Sequence, residues 1–191
     1  MAFTFGPRLQ TPQFGLLYNW YTISDGRGIA PTDWRVASDS DWTNLENYLG
    51  ANPGTQLKPP NSFNALFAGL RNSAGAYSNF NTQAYWWTST QHSSTNGVAR
   101  NISGGTSINR YTFYNKNVGL SIRCLRDNQP PSSIVIDSDN NTYTWTKIGS
   151  QYWLAQNLAT TKYTNGDSID GITWPSTSGA YSYPNGNSSL V

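Results

Sequence analysis

The chain has 191 residues, 37% hydrophobic, 14% aromatic and only 12% charged, with a formal net charge of +2; this composition supports a buried core and excludes disorder, and so small a charge excludes nucleic-acid binding by the chain as a whole. A single cysteine, Cys124, excludes an internal disulfide framework, and a single histidine, His92, excludes the usual zinc ligand sets. No apolar run approaches the roughly 20 residues that span a bilayer, so no membrane insertion is expected, and the opening Met1-Ala2-Phe3-Thr4-Phe5-Gly6-Pro7-Arg8 reads as no secretory signal.

In chain order, Leu16 to Thr22 is the first aromatic-rich strand candidate. The one clear helix follows Ser38, where Ser38-Asp39-Ser40-Asp41 offers a cap, an acidic third position and negative charge in the first turn. Trp42, Leu45 and Leu49 share a face and Gly50 supplies the stop, which predicts a helix over about 39–49. Tyr85 to Ser89 is a second aromatic strand, in which Trp86 and Trp87 point to opposite faces and one of them belongs in the core. Gly119 to Leu125 alternates toward Leu120, Ile122 and Cys124, so Cys124 reads as a buried structural thiol. Tyr143 to Ile148 pairs with Ile134 to Ile136 across the Asp137 to Asn141 turn, and Gln151 to Leu154 follows that hairpin. Asn128 to Ser133, with Pro130-Pro131, is the linker between halves 1–127 and 134–191. The second half is too poor in apolar positions to stand alone, so the expectation is one α+β domain over 1–191, mostly short antiparallel strands and loops.

Charge is unevenly distributed. Between Asn47 and Arg126 there is no acidic residue, while Lys58, Arg71, Arg100, Arg110, Lys116, Arg123 and Arg126 give the stretch a formal +7; the two flanks are net acidic. A carboxylate pair for glycoside hydrolysis is absent there, as are the carboxylates a calcium-dependent sugar site needs. Asp137, Asp139 and Asn141 imitate the start of a calcium loop, but Thr142 stands at its glycine and Ile148 at its glutamate, so a turn is expected. His92 has no sequence neighbour to activate it, and Gly104-Gly105 opens no phosphate loop. No catalytic residue, metal or cofactor is expected.

Several ordered strings carry a resemblance: Gly15-Leu16-Leu17-Tyr18-Asn19-Trp20-Tyr21, Asp33-Trp34-Arg35-Val36-Ala37-Ser38-Asp39, Gly69-Leu70-Arg71-Asn72, Tyr85-Trp86-Trp87-Thr88-Ser89-Thr90 and Gly119-Leu120-Ser121-Ile122-Arg123-Cys124. Together they resemble the Fibrobacter succinogenes major paralogous domain, which implies a C-type lectin-like fold related to formylglycine-generating enzymes. The thiol pair of that enzyme chemistry is missing. Ile136 to Tyr143, Lys147 to Leu158 and Thr161 to Gly166 resemble the family's beginning yet come last here, which implies a circular permutation. The last segment then completes either its own protomer or a neighbouring copy.

The stretch from Arg71 to Arg123 also resembles the variable region of diversity-generating-retroelement target proteins of phage tails and cell surfaces. Rigid Tyr and Trp alternating with Ser, Asn and Gly suit recognition, as in antibody paratopes. The candidate ligand-binding residues are Tyr77, Asn79, Phe80, Gln83 and Tyr85 before the Trp86-Trp87 framework and Gln91, Ser93, Asn96, Arg100 and Asn101 after it. Ser107, Asn109, Tyr111 and Phe113 form an alternating set that completes the surface, with Arg110 and Thr112 pointing the other way. The expected function is a non-enzymatic recognition module of a bacteriophage virion, a tail or fibre protein that contacts a bacterial surface glycan or protein. The basic stretch points to anionic polymers. The alternatives are a structural virion protein in contact with other virion proteins or with copies of itself, and a secreted adhesin at the bacterial surface.

Overall fold

A computed structural model describes residues 13–127, 134–171 and 175–191, so the opening segment and the linker 128–133 lie outside the described residues. In chain order the elements are β1 (Leu17–Tyr18), α1 (Trp20–Ser24), β2 (Arg35–Val36), α2 (Asp39–Leu49), α3 (Pro53–Leu57), β3 (Leu70–Arg71) and β4 (Tyr77–Ser78). Next come β5 (Ala84–Gln91), β6 (Asn96–Ile102), β7 (Asn109–Asn115), β8 (Ser121–Ile122) and β9 (Cys124–Asp127). The last part supplies β10 (Val135–Ile136), β11 (Thr142–Tyr143), β12 (Trp145–Ile148), β13 (Gln151–Leu154), β14 (Asp170–Gly171) and β15 (Ala180–Ser182). The architecture is mixed α and β with mostly short strands and few helices, and among the described residues no helix is long and apolar enough to cross a membrane.

Helix α2 has the bounds its sequence signals predict. The Ser38 hydroxyl accepts from the Asp41 amide at 3.2 Å, and the Asp41 carboxylate accepts in return from the Ser38 amide at 2.7 Å. Gly50, at φ +64, closes the helix by donating to the Glu46 carbonyl. Burial pulls the Asp41 carboxyl upward, but hydrogen bonds from Arg35 and Ser38 outweigh it and hold its pKa below the ordinary value. A carboxylate depressed in this way adds stability above its unfolded pKa of about 3.9, and that stability is lost as pH falls through the folded value. Asp41→Asn is therefore expected to lower the melting temperature at neutral pH and to shrink the further loss below about pH 4, read from melts at both pH values.

Three strand expectations are corrected. Leu16 to Thr22 is not one strand: β1 ends at Tyr18 because Asn19 caps a helical turn, its Oδ1 accepting from the Thr22 amide at 3.2 Å and the Thr22 hydroxyl at 2.9 Å. Gly119 to Leu125 divides at Arg123 into β8 and β9. The hairpin after Ile134 is two hairpins: β10 pairs only with β11, and β12 turns back onto β13 through Gly149, whose φ of +62 fits a tight turn. The Asp137 to Asn141 segment is a turn, with Asp137 Oδ1 accepting from the amides of Asp139 and Asn141.

Two four-stranded sheets organise the interior, ordered β12-β13-β9-β2 and β7-β6-β5-β8. Strand β13, from beyond the linker, lies between β12 and β9, so residues from both sides of it share one sheet. Helix α2 lies between the sheets, where Trp42 meets Trp86 of β5 at 5.2 Å and Trp153 of β13 at 5.1 Å. Alternation puts Trp87 on the other face of β5, against Trp20 and Leu120, with Nε1 donating to the Tyr18 carbonyl at 2.9 Å. Both tryptophans are therefore core, where the sequence reading placed one, because β5 is covered on both sides.

Arg123, the residue that divides the β8–β9 run, is fully buried. Its guanidinium donates to the carbonyls of Phe63 and Leu154, each at 2.7 Å, and to Asn157 Oδ1 at 2.8 Å, while lying over the Phe63 ring. Burial pushes its pKa down to about 9, which leaves it charged at neutral pH. Neighbouring Cys124 is buried as expected, and burial pushes its thiol up to about 12, in keeping with an inert structural cysteine.

Candidate recognition face

The register of the β7-β6-β5-β8 sheet assembles a row of polar side chains. Tyr85 opposes Asn101, and Asn101 opposes Asn109, so the three share one face; Trp87, Ala99 and Tyr111 form the next row. The Asn101 amide donates to the Ala84 carbonyl at 2.9 Å and to Gln83 Oε1 at 3.2 Å, and its oxygen accepts from Asn109 Nδ2 at 3.1 Å. Tyr85 extends the chain, its hydroxyl donating to Gln83 Oε1 at 2.6 Å and accepting from Asn79 Nδ2 at 2.9 Å.

An aromatic group adjoins this amide row because β7 carries a bulge. Ala99 opposes Tyr111 but Gly97 opposes Tyr114, so β7 spends one more residue than β6 over the same distance. Tyr111 and Tyr114 consequently share a face, with ring centroids 5.7 Å apart, and Phe113 is pushed out to 64% exposure while touching both rings. Tyr85 lies 6.0 Å edge-on to Tyr114. Burial raises the pKa of both the Tyr85 and the Tyr114 phenol, so both stay neutral hydroxyls.

Arg100 faces the other way, since residues adjacent to Asn101 on a strand cannot share its face. It is buried, donating through Nε to Asp39 at 2.8 Å, through Nη1 to Glu46 at 2.5 Å and through Nη2 to the Thr43 hydroxyl at 2.9 Å. Its place is under helix α2, away from the face where the sequence reading put it.

The structure brings together Asn79, Gln83, Tyr85, Asn101, Asn109, Tyr111 and Phe113, although Tyr85 and Asn101 are buried and act as its scaffold. Tyr77 lies in β4 beside the Arg71 guanidinium, and Phe80 packs on Phe14 at 5.2 Å. Gln91 ends β5, Asn96 begins β6 and Ser93 lies in the turn between them, at the far end of β6 from Asn101, where Ser93 Oγ accepts from the Asn96 amide and Gln91 accepts from Lys116 Nζ. Ser107 is exposed in the β6–β7 connection, outside the strand. Tyr114 was missed because strict alternation turns it inward, and only the bulge reverses that.

Residues 6–126, well over half of the chain, match the family described as the Fibrobacter succinogenes major domain. The chain belongs to that family. No curated protein and no solved structure matches it. In this Fibrobacter succinogenes major domain protein the matched region contains helix α2 and all of β5, β6 and β7, whereas β10 to β15 lie beyond it.

The +7 of the middle stretch does not reach the face of this Fibrobacter succinogenes major domain. Arg100 and Arg110 both pair with Asp39, and Arg126 is 3.5 Å from Asp33. Lys58 donates to the carbonyls of Gly104 and Gly105, Lys116 is buried over the Trp20 ring, Arg71 is buried beside Tyr77, and Arg123 is in the core. Among the described residues the face holds amides, hydroxyls and rings, so the expected preference for anionic polymers finds no cation in it. A groove of about 540 Å³ lies elsewhere, beside β2 and lined by Ile29, Pro31, Trp34 and Thr164.

Proposed function

We propose that this Fibrobacter succinogenes major domain is a non-enzymatic recognition module of a bacteriophage virion, at a tail or fibre, that contacts a bacterial surface glycan or protein. The observation that carries the reading is the hydrogen-bonded row Asn79–Tyr85–Gln83–Asn101–Asn109 beside an exposed Phe113 held between two tyrosines. Rigid rings supply contact area at low entropic cost, and the neighbouring amides supply directional bonds. The accompanying fold reading is C-type lectin-like and circularly permuted. It is supported by the meeting of the described chain ends, since Phe14 N–H donates to the Leu190 carbonyl at 3.0 Å and β1 pairs with β15. The likeness of residues 71–123 to retroelement-diversified proteins belongs to the same proposal, and substitution confined to residues 77–113 among close relatives is the result it expects.

Binding of purified protein to a panel of bacterial strains tests this. Wild type is expected to bind at least one strain saturably, and a variant combining Asn109→Ala with Tyr111→Ala to bind about tenfold more weakly while still unfolding cooperatively, at the lower melting temperature that loss of the Asn109–Asn101 bond brings. Absence of binding to every strain, together with regular high-order assembly in solution, favours a structural virion protein instead.

A further inference from the structure

The ligand's chemistry follows from the polarity of the amide row. A backbone carbonyl only accepts, so the Ala84 carbonyl, 2.9 Å from the Asn101 side chain, fixes which end of that amide is nitrogen. The assignment propagates. The same nitrogen donates to Gln83, which must therefore turn its oxygen inward and its NH2 outward; Asn101 Oδ1 accepts from Asn109, which must turn its nitrogen inward and its oxygen outward. Tyr85 gives its proton to Gln83, so it accepts from Asn79, whose oxygen is left outward as well.

Among the described residues, the outward groups Gln83 Nε2, Asn79 Oδ1 and Asn109 Oδ1 carry no bond, on half-buried side chains; Asn109 stands two residues before Tyr111 on β7, and Tyr85, which joins Asn79 to Gln83, is edge-on to Tyr114. The face thus presents one amide donor, two carbonyl acceptors, and the Tyr111 hydroxyl, which does either. A phosphate or carboxylate only accepts, and would satisfy the donor while facing two carbonyls. An ammonium only donates, and fails at Gln83. A hydroxyl does both, and a pyranose adds a C–H face that covers an exposed ring.

We propose that the face binds an uncharged, hydroxyl-bearing glycan, held by amide hydrogen bonds and ring stacking without ion pairs. This rests on the recognition reading and narrows it. The test is binding of the full chain to an array of neutral and acidic oligosaccharides and to intact cells of a bound strain. Affinity for neutral probes is expected to change by less than about twofold from about 50 to about 500 mM NaCl, because no exposed charge pair is screened. Gln83→Glu keeps the inward oxygen and converts the outward donor to an acceptor; it is expected to weaken binding about tenfold or more, as is Phe113→Ala at a position 64% exposed. Cell binding abolished by protease but not by periodate overturns the glycan proposal while leaving recognition standing. Preference for acidic probes, with affinity falling about tenfold or more over that salt range, also overturns it. Failure to bind any neutral probe overturns it, and failure to bind any cell as well removes the recognition reading.

Discussion

Replacing Arg123 with methionine is expected to destabilise the fold by about 3 kcal/mol, a large part of the roughly 5–15 kcal/mol that keeps a domain folded. Methionine keeps most of the alkyl volume, so the loss is almost entirely that of the guanidinium. The carbonyls of Phe63 and Leu154 and the Asn157 oxygen then lose their buried donor. An unsatisfied buried acceptor costs about 1–3 kcal/mol, and the two stranded carbonyls, together with an Asn157 oxygen left with one donor, outweigh the relief from no longer burying a charge. Asn157 belongs to the segment beyond the linker and also accepts from Trp86 Nε1 at 2.8 Å, so the cluster ties the last part of the chain to the central core. Urea melts of Arg123→Met, Asn157→Ala and the pair measure this, and the double variant is expected to lose less than the sum. Arg110→Met, at an ion pair whose arginine is 48% exposed, serves as the control, with an expected change below about 1 kcal/mol.

Arg100→Met is expected to cost about 2–4 kcal/mol and to leave ligand binding within about twofold of wild type. The arginine side chain is 3% exposed and joins the sheet to α2 through Asp39 and Glu46. Removing it leaves Glu46 without its partner at the edge of the core, whereas Asp39 keeps Arg110. The two readouts assign the residue. Loss of stability with intact binding places Arg100 under the helix, and loss of binding with intact stability puts it back on the recognition face.

What the sequence discloses depends on how local the signal is. The α2 cap, its apolar stripe and Gly50 all act within one helix, and its bounds were legible. Asn19 cut short an apparent strand because its cap competes with strand pairing, and Arg123 divided an alternating run because a buried guanidinium collects carbonyls from distant segments. The odd-numbered face of β7 was readable as far as Tyr111. Beyond it the bulge reverses the parity, and a bulge is a property of two strands in register. Charge misled for a similar reason: seven cations without local acids suggest a basic surface, yet Asp39 and Glu46, from before the stretch, meet two of the arginines.

Two equally exposed rings on opposite sides of the sheet distinguish a recognising face from a bystander. Phe113 is 64% and Tyr48 is 67% exposed; Tyr48 lies on α2, across the sheet from the amide row. Saturable binding to a host strain is measured for wild type, Phe113→Ala and Tyr48→Ala. If the β5-β6-β7 face recognises the bacterial surface, Phe113→Ala binds about tenfold or more weakly while Tyr48→Ala stays within about twofold of wild type. Equal effects of the two substitutions, or a loss confined to Tyr48→Ala, would contradict the assignment of recognition to this face.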